Sequence, residues 1–151
     1  MSDVREGTLR ILSRRNVAVA AWRDAPTVSQ FRLFEREGRT LERRYPKRTA
    51  LFNVVLSGTP NFSAEVRAET ARVSAIDDIF SLATVHVVLV GGLVGSAVRA
   101  FLATSMLVSK PPNPTKVFGE LEPAAAWVLE RLAPSGEKWT LEELCELVRS
   151  A

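Results

Sequence analysis

Hydrophobic and polar positions change their spacing halfway through the stretch from Ile79 to Val98, which carries no charge unless His86 is protonated. Before Gly91-Gly92, the run Thr84-Val85-His86-Val87-Val88-Leu89-Val90 is nearly continuous and rich in β-branched residues, the pattern of a strand buried on both faces. Beyond the glycines, Val94, Val98, Phe101 and Leu102 recur at helical spacing. A strand that enters a helix through a glycine turn is half of a βαβ unit. It predicts a layered α/β domain built around a parallel sheet.

Upstream, Thr8-Leu9-Arg10-Ile11-Leu12-Ser13 and the stretch 16–22 predict two strands joined by a tight turn at Arg14-Arg15-Asn16, an antiparallel hairpin. Thr27 followed by Gln30 forms a capping box, and Val28, Phe31, Phe34, Leu41 and Tyr45 make the apolar stripe of a helix that Tyr45-Pro46 ends. A third strand covers 50–56. A helix from about Ser63 to Phe80, broken near Ser74, turns Val66, Val73, Ile76 and Ile79 inward. The strand at 84–90 and a helix over 94–108 follow. Three prolines in Lys110-Pro111-Pro112-Asn113-Pro114 make a stiff connector into a short strand at 115–118. Glu122-Pro123 opens a helix carrying Trp127, Val128 and Leu132. After Ala133-Pro134-Ser135-Gly136, a second capping box, Thr140 with Glu143, starts a last helix with Leu141, Leu144, Cys145 and Val148 on one face. The expected fold is therefore one α/β domain over 1–132 with a mixed, mostly parallel sheet of about five strands. A linker and C-terminal helix at 133–151 pack on it or extend it, and right-handed crossovers connect the parallel strands.

Composition changes this picture little. The 151 residues, 46% hydrophobic and 25% charged, suit a single domain with its own core. A lone cysteine, Cys145, and the absence of a basic-then-apolar leader predict a reducing, cytoplasmic setting. The uncharged twenty residues match the length of a membrane span, but Gly91-Gly92, the β-branched half and Arg99 argue against one. Net charge is +3, and the densest basic patch is Arg36, Arg39, Arg43, Arg44, Lys47 and Arg48. Glu35, Glu37 and Glu42 interleave with it, and pairs such as Glu35 with Arg39 suit a solvated helix better than a nucleic-acid surface.

The element order resembles the STAS domain, the fold of anti-sigma-factor antagonists and of the cytoplasmic tails of sulfate transporters, over about residues 8–132. Phe52-Asn53-Val54-Val55-Leu56 leads into a polar turn and helix, where such domains place their regulatory loop. The strand 85–90 ends in small residues and enters a helix, as the next βα unit does. Val117-Phe118-Gly119-Glu120-Leu121-Glu122-Pro123-Ala124-Ala125-Ala126-Trp127 is similar to the short strand and Ala-x-x-Trp helix that close a bacterial branch of these chains. The resemblance implies a regulatory module that binds another protein. The antagonists carry an Asp-Ser-Ser-Gly turn whose serine is phosphorylated at a helix N-terminus. This chain has Ser57-Gly58-Thr59-Pro60-Asn61-Phe62-Ser63 there instead, so the standard phosphoserine motif is absent.

Candidate chemistry is sparse. Gly91-Gly92-Leu93-Val94-Gly95-Ser96 with Arg99 offers backbone N–H groups and a cation to a small anion, but matches no nucleotide fingerprint; close strand–helix packing is the simpler role for its glycines. His86 points away from Val85 and Val87 and has no companion at metal-ligand spacing, so it reads as a core or under-helix histidine. Cys145 lies among Glu142, Glu143 and Glu146, which disfavours a thiolate nucleophile. Asp77-Asp78 are adjacent and diverge on a helix, as solvated surface does. Neither a catalytic triad order nor a metal-site spacing emerges, so no enzyme, cofactor or metal is expected. The leading expectation is a non-catalytic protein-interaction module, with Ser57, Asn61 and Ser63 as partner-binding or phospho-switch residues and a second copy among its candidate partners. The alternative is a small-molecule or anion sensor with a strand-end pocket near Gly91-Gly92 and His86, using Gly92, Ser96 and Arg99.

Overall fold

Strands whose side chains alternate between two apolar faces must be covered twice, and the fold does this with helices above and below one sheet. The computed structural model describes residues 1–58 and 63–151. In chain order its elements are β1 (Ser2–Glu6), β2 (Leu9–Arg14), β3 (Val17–Trp22), α1 (Val28–Arg44), β4 (Ala50–Val55), α2 (Ala64–Ser74), β5 (Ala83–Val88), α3 (Gly92–Ser109), β6 (Thr115–Phe118), α4 (Leu121–Leu132), a 3₁₀ turn (Ala133–Ser135) and α5 (Leu141–Arg149). The strands lie side by side in sequence order, β1 to β3 antiparallel and β3 to β6 parallel. Each parallel crossover steps one strand in the same direction, so the right-handed rule places α1, α2 and α3 on the same face.

Register decides which residues meet. Ala20, Asn53, His86 and Val117 stand in one row across β3, β4, β5 and β6. On one face Val17, Val19, Phe52, Val54, Val85 and Val87 pack with Val128 and Leu132 of α4 and Leu144, Leu147 and Val148 of α5. On the other, Ala18, Ala20, Trp22 and Leu51 pack with Phe31, Phe34 and Leu41 of α1 and with Val66 and Val73 of α2. Both capping boxes form: Thr27 with Gln30 opens α1, and Thr140 with Glu143 opens α5. Trp139 donates its indole N–H to Asn16 Oδ1 at 2.9 Å and lies under the Arg15 guanidinium, 3.7 Å from the ring centre. These contacts tie the approach to α5 onto the β2–β3 turn.

Several expectations need correction. The sheet has six strands instead of about five: β1 carries no strand pattern, because Ser2-Asp3-Val4-Arg5-Glu6 is polar, with a single apolar residue. It holds to β2 by backbone pairing and by an Arg10–Asp3 ion pair at 2.9 Å. The helix expected from about Ser63 to Phe80 with a break near Ser74 stops at that break, and Ile79 and Phe80 are buried beyond it without helical structure. The strand expected to reach Val90 ends at Val88. It is not apolar on both faces, because Thr84 and His86 are only half-buried.

Candidate functional site

Helix α3 is the unusual element. It is apolar around most of its circumference, yet Gly95 is its only buried residue. Its inner side, Val98, Phe101, Leu102, Ser105 and Met106, roofs a cavity of ≈ 170 Å³. Phe31 and Phe34 of α1, Val66 and Val73 of α2, and the Pro111-Pro112 connector form the walls. Asn53, Thr84, His86 and Thr115 supply the floor from the sheet. The space arises because α2 turns only Val66 and Val73 into the core, leaving the region between α3 and the sheet unfilled.

A relay of polar groups crosses that floor. The indole N–H of Trp22 donates to Asn53 Oδ1. An indole nitrogen only donates, so this bond orients the amide and turns Asn53 Nδ2 toward His86 Nδ1, 2.8 Å away. His86 Nδ1 must then accept, which places the ring proton on Nε2. Desolvation pushes the His86 pKa down to about 4, so the ring is neutral near pH 7. Its area is not fully covered because it borders the cavity, but its surroundings are dense enough to penalise charge. Among the described lining residues Asp24 is the one charged group, and no Lys or Arg faces the space. Asp24 is already engaged by the backbone N–H of Ala25 at 2.8 Å. The cavity therefore has an apolar body, a neutral hydrogen-bond donor and no counter-ion for an acid.

The residues proposed from sequence are distributed differently. Ser57 lies exposed just after β4, donates to the Arg23 carbonyl at 2.9 Å, and stands with Gly58 at the cavity rim. Ser63 is the N-cap of α2, its hydroxyl accepting from Val66 N–H at 3.3 Å. Asn61 lies outside the described residues. Arg99 donates to Ser96 Oγ at 3.2 Å, and Gly92 opens the same helix, so these three share the start of α3. None of them lines the cavity, whereas His86 does. The start of α3, expected to share one strand-end pocket with His86, therefore lies outside the lining of this cavity.

The glycines also divide their roles. A Cβ on Gly91 or Gly92 would meet nothing within 4 Å, although Gly92 has φ +66°. Gly95 is the close-packed one, because a Cβ there would lie 1.8 Å from the Val90 carbonyl oxygen. Asn53 and Trp22 were missed as site residues. The available signal was a lone amide in the apolar run Phe52-Asn53-Val54, but its partner is set by strand register.

Elsewhere the chemistry is quiet. Cys145 is buried on the opposite face, and burial pushes its thiol pKa up. Asp78 binds Arg39 at 2.7 Å, and Glu35 takes Arg39 at 3.1 Å and Arg72 at 2.8 Å, so Arg39 of the basic face is paired within the chain. Among the described residues no group of three or more His, Cys, Asp or Glu is placed to hold a metal ion. Compared with known proteins, the chain matches no family model, no curated protein and no solved structure.

Proposed function

We propose that this protein is a binding module that holds a small, neutral, mostly apolar molecule between α3 and the sheet, anchored by one acceptor atom on the His86 Nε2–H. The observation that supports this most is the Trp22–Asn53–His86 relay beneath an apolar cavity. Such a mixture of apolar wall and few oriented polar groups is the usual make-up of a ligand site. Its size is on the scale of cavities that take one aromatic ring, about 150 Å³. The absence of Lys or Arg from the described lining argues for a neutral ligand over an anionic one, since a buried carboxylate without a partner is costly.

Acetophenone and benzoate make the test, being similar in size and opposite in charge. At about ten times its Kd, acetophenone is expected to raise the melting temperature by about 3–5 °C. Benzoate is expected to leave it unchanged. Leu102→Trp, which fills the roof, and His86→Leu, which removes the donor, should each abolish the acetophenone shift. A wild-type protein that answers neither compound, or benzoate alone, defeats this reading.

The STAS-like regulatory reading is a second proposal, supported by the element order and by Ser57 and Ser63 bracketing the β4–α2 connection. In it the partner is another protein. Mass spectrometry of the chain isolated from its own cells tests it: phosphate on Ser57 or Ser63 supports a switch, and a bare chain removes it.

A further inference from the structure

The outer side of α3 is as apolar as the inner side, and none of the described residues covers it. Leu93 is 90% exposed, Leu107 77% and Val108 80%. With Ala97, Ala100 and Thr104 they form one uncharged stripe, spaced alternately four and three residues apart from Leu93 to Leu107. This is the seam spacing of paired helices. From it we infer that α3 is a self-association surface on which a second copy of this chain packs its own α3, antiparallel, about a two-fold axis at Ala100.

The stripe is complementary to its own reverse. With Ala100 on the axis, Leu93 of one copy meets Leu107 of the other, Ala97 meets Thr104, and Ala100 meets Ala100. Small residues at the centre let the helices approach toward the short end of the 8–10 Å packing range. Beside Leu107 is a surface dip lined by Ala103, Met106, Pro111 and Val117. The partner's Leu93 falls opposite this dip, so each copy offers one knob and one hole, as an isologous contact requires.

Area sets the strength. Eighteen residues span about 27 Å, and a stripe that long buries on the order of 800 Å² in total. That is below the ~1,200 Å² of a stable specific interface, in the range of weak, transient contacts, and implies association at micromolar concentrations or weaker. Charge sets its salt response. From Ile79 to Gly119 the sequence contains no Asp or Glu, and its cations are Arg99, Lys110 and Lys116. Both copies therefore bring positive rims together, and salt should strengthen the dimer by screening them. A membrane surface fits less well. An interfacial helix carries several Lys or Arg and aromatic anchors on its lipid side, whereas α3 has one cation, Arg99, and its one aromatic residue, Phe101, lines the cavity. The inference stands whether or not the cavity takes a ligand.

Sedimentation velocity of the full chain over about 1–200 µM, at about 0.1 and 0.5 M NaCl, is the test. A reversible monomer–dimer equilibrium that tightens with salt is expected. Ala100→Glu should weaken it at least roughly tenfold by facing two carboxylates across the axis. Its melting temperature should stay near wild type, because residue 100 is exposed in the monomer. Ala100→Cys should cross-link to itself with a short bismaleimide, with buried Cys145 giving little background in the wild type. A wild type that remains monomeric throughout, or a dimer indifferent to Ala100→Glu and not linked through Ala100→Cys, overturns the inference. So does a monomer that co-sediments with phosphatidylglycerol vesicles and releases in salt, which assigns the face to a bilayer.

Discussion

His86 carries the tightest constraint on any single side chain of the site. The Trp22 indole orients Asn53, Asn53 fixes the imidazole tautomer, and desolvation holds the ring neutral with a pKa of about 4. This has a consequence for stability. In the unfolded chain a histidine takes up its proton near pH 6.5, whereas in the fold it does so only near 4. Acidification between those values therefore favours the unfolded state, with a loss of order 2–3 kcal/mol once the lower limit is reached. Above pH 6.5 both states are neutral and the residue contributes no pH dependence. The Glu35 carboxyl, held below its ordinary range mainly by the Arg72 hydrogen bond, acts in a more acidic window, and its contribution disappears below about pH 4.5. Urea midpoints measured from about pH 7 to pH 4.5 should fall for the wild type and stay flatter for His86→Gln. Equal slopes in the two proteins would place the sensitivity elsewhere.

Helix α3 depends on how the chain leaves β5. Gly95 sits against the Val90 carbonyl, so the turn from strand to helix closes more tightly than any residue with a Cβ permits. Alanine normally gains about 1 kcal/mol over glycine inside a helix. At this position the steric cost exceeds that gain, and Gly95→Ala is expected to lower stability by about 2 kcal/mol. Gly91→Ala, with open space around it, should be close to neutral. Denaturant unfolding of the two variants separates packing from propensity: equal effects would mean that the turn relaxes around the new methyl group. The opposite case is α5, whose capping box is local and whose buried Leu144, Cys145 and Val148 follow from helical spacing, although Leu141 of the expected face is exposed and Leu147 is buried. Its docking still needs distant residues, since Trp139 meets Asn16 and Glu143 pairs with Arg15 at 3.1 Å.

The two faces of the sheet are covered unequally. On one, α4 and α5 seal it with fully buried Val128, Leu132 and Leu144. On the other, α2 and α3 bury three residues between them and enclose a cavity. Native-state hydrogen exchange should show α3 and α2 opening at a fraction of the free energy needed for β3, β4 and α4. Protection of α3 equal to that of the central strands would refute this. The α/β class, the strand–helix order, both capping boxes and the break near Ser74 could be read from the chain, because they depend on spacing within a dozen residues. β1 could not, since its pairing is made by backbone groups common to every sequence. The site was only partly visible. His86 is singular in composition, but Asn53 and Trp22 reach it through strand register across 33 and 64 residues of chain. The helical spacing of Val98, Phe101 and Leu102 marked the side of α3 that faces inward, so the sequence by itself determined that α3 exists and which side it turns in, but not what it covers. Tertiary structure alone decided that one side roofs a cavity and the other lies bare, because a void is set by the distance between elements.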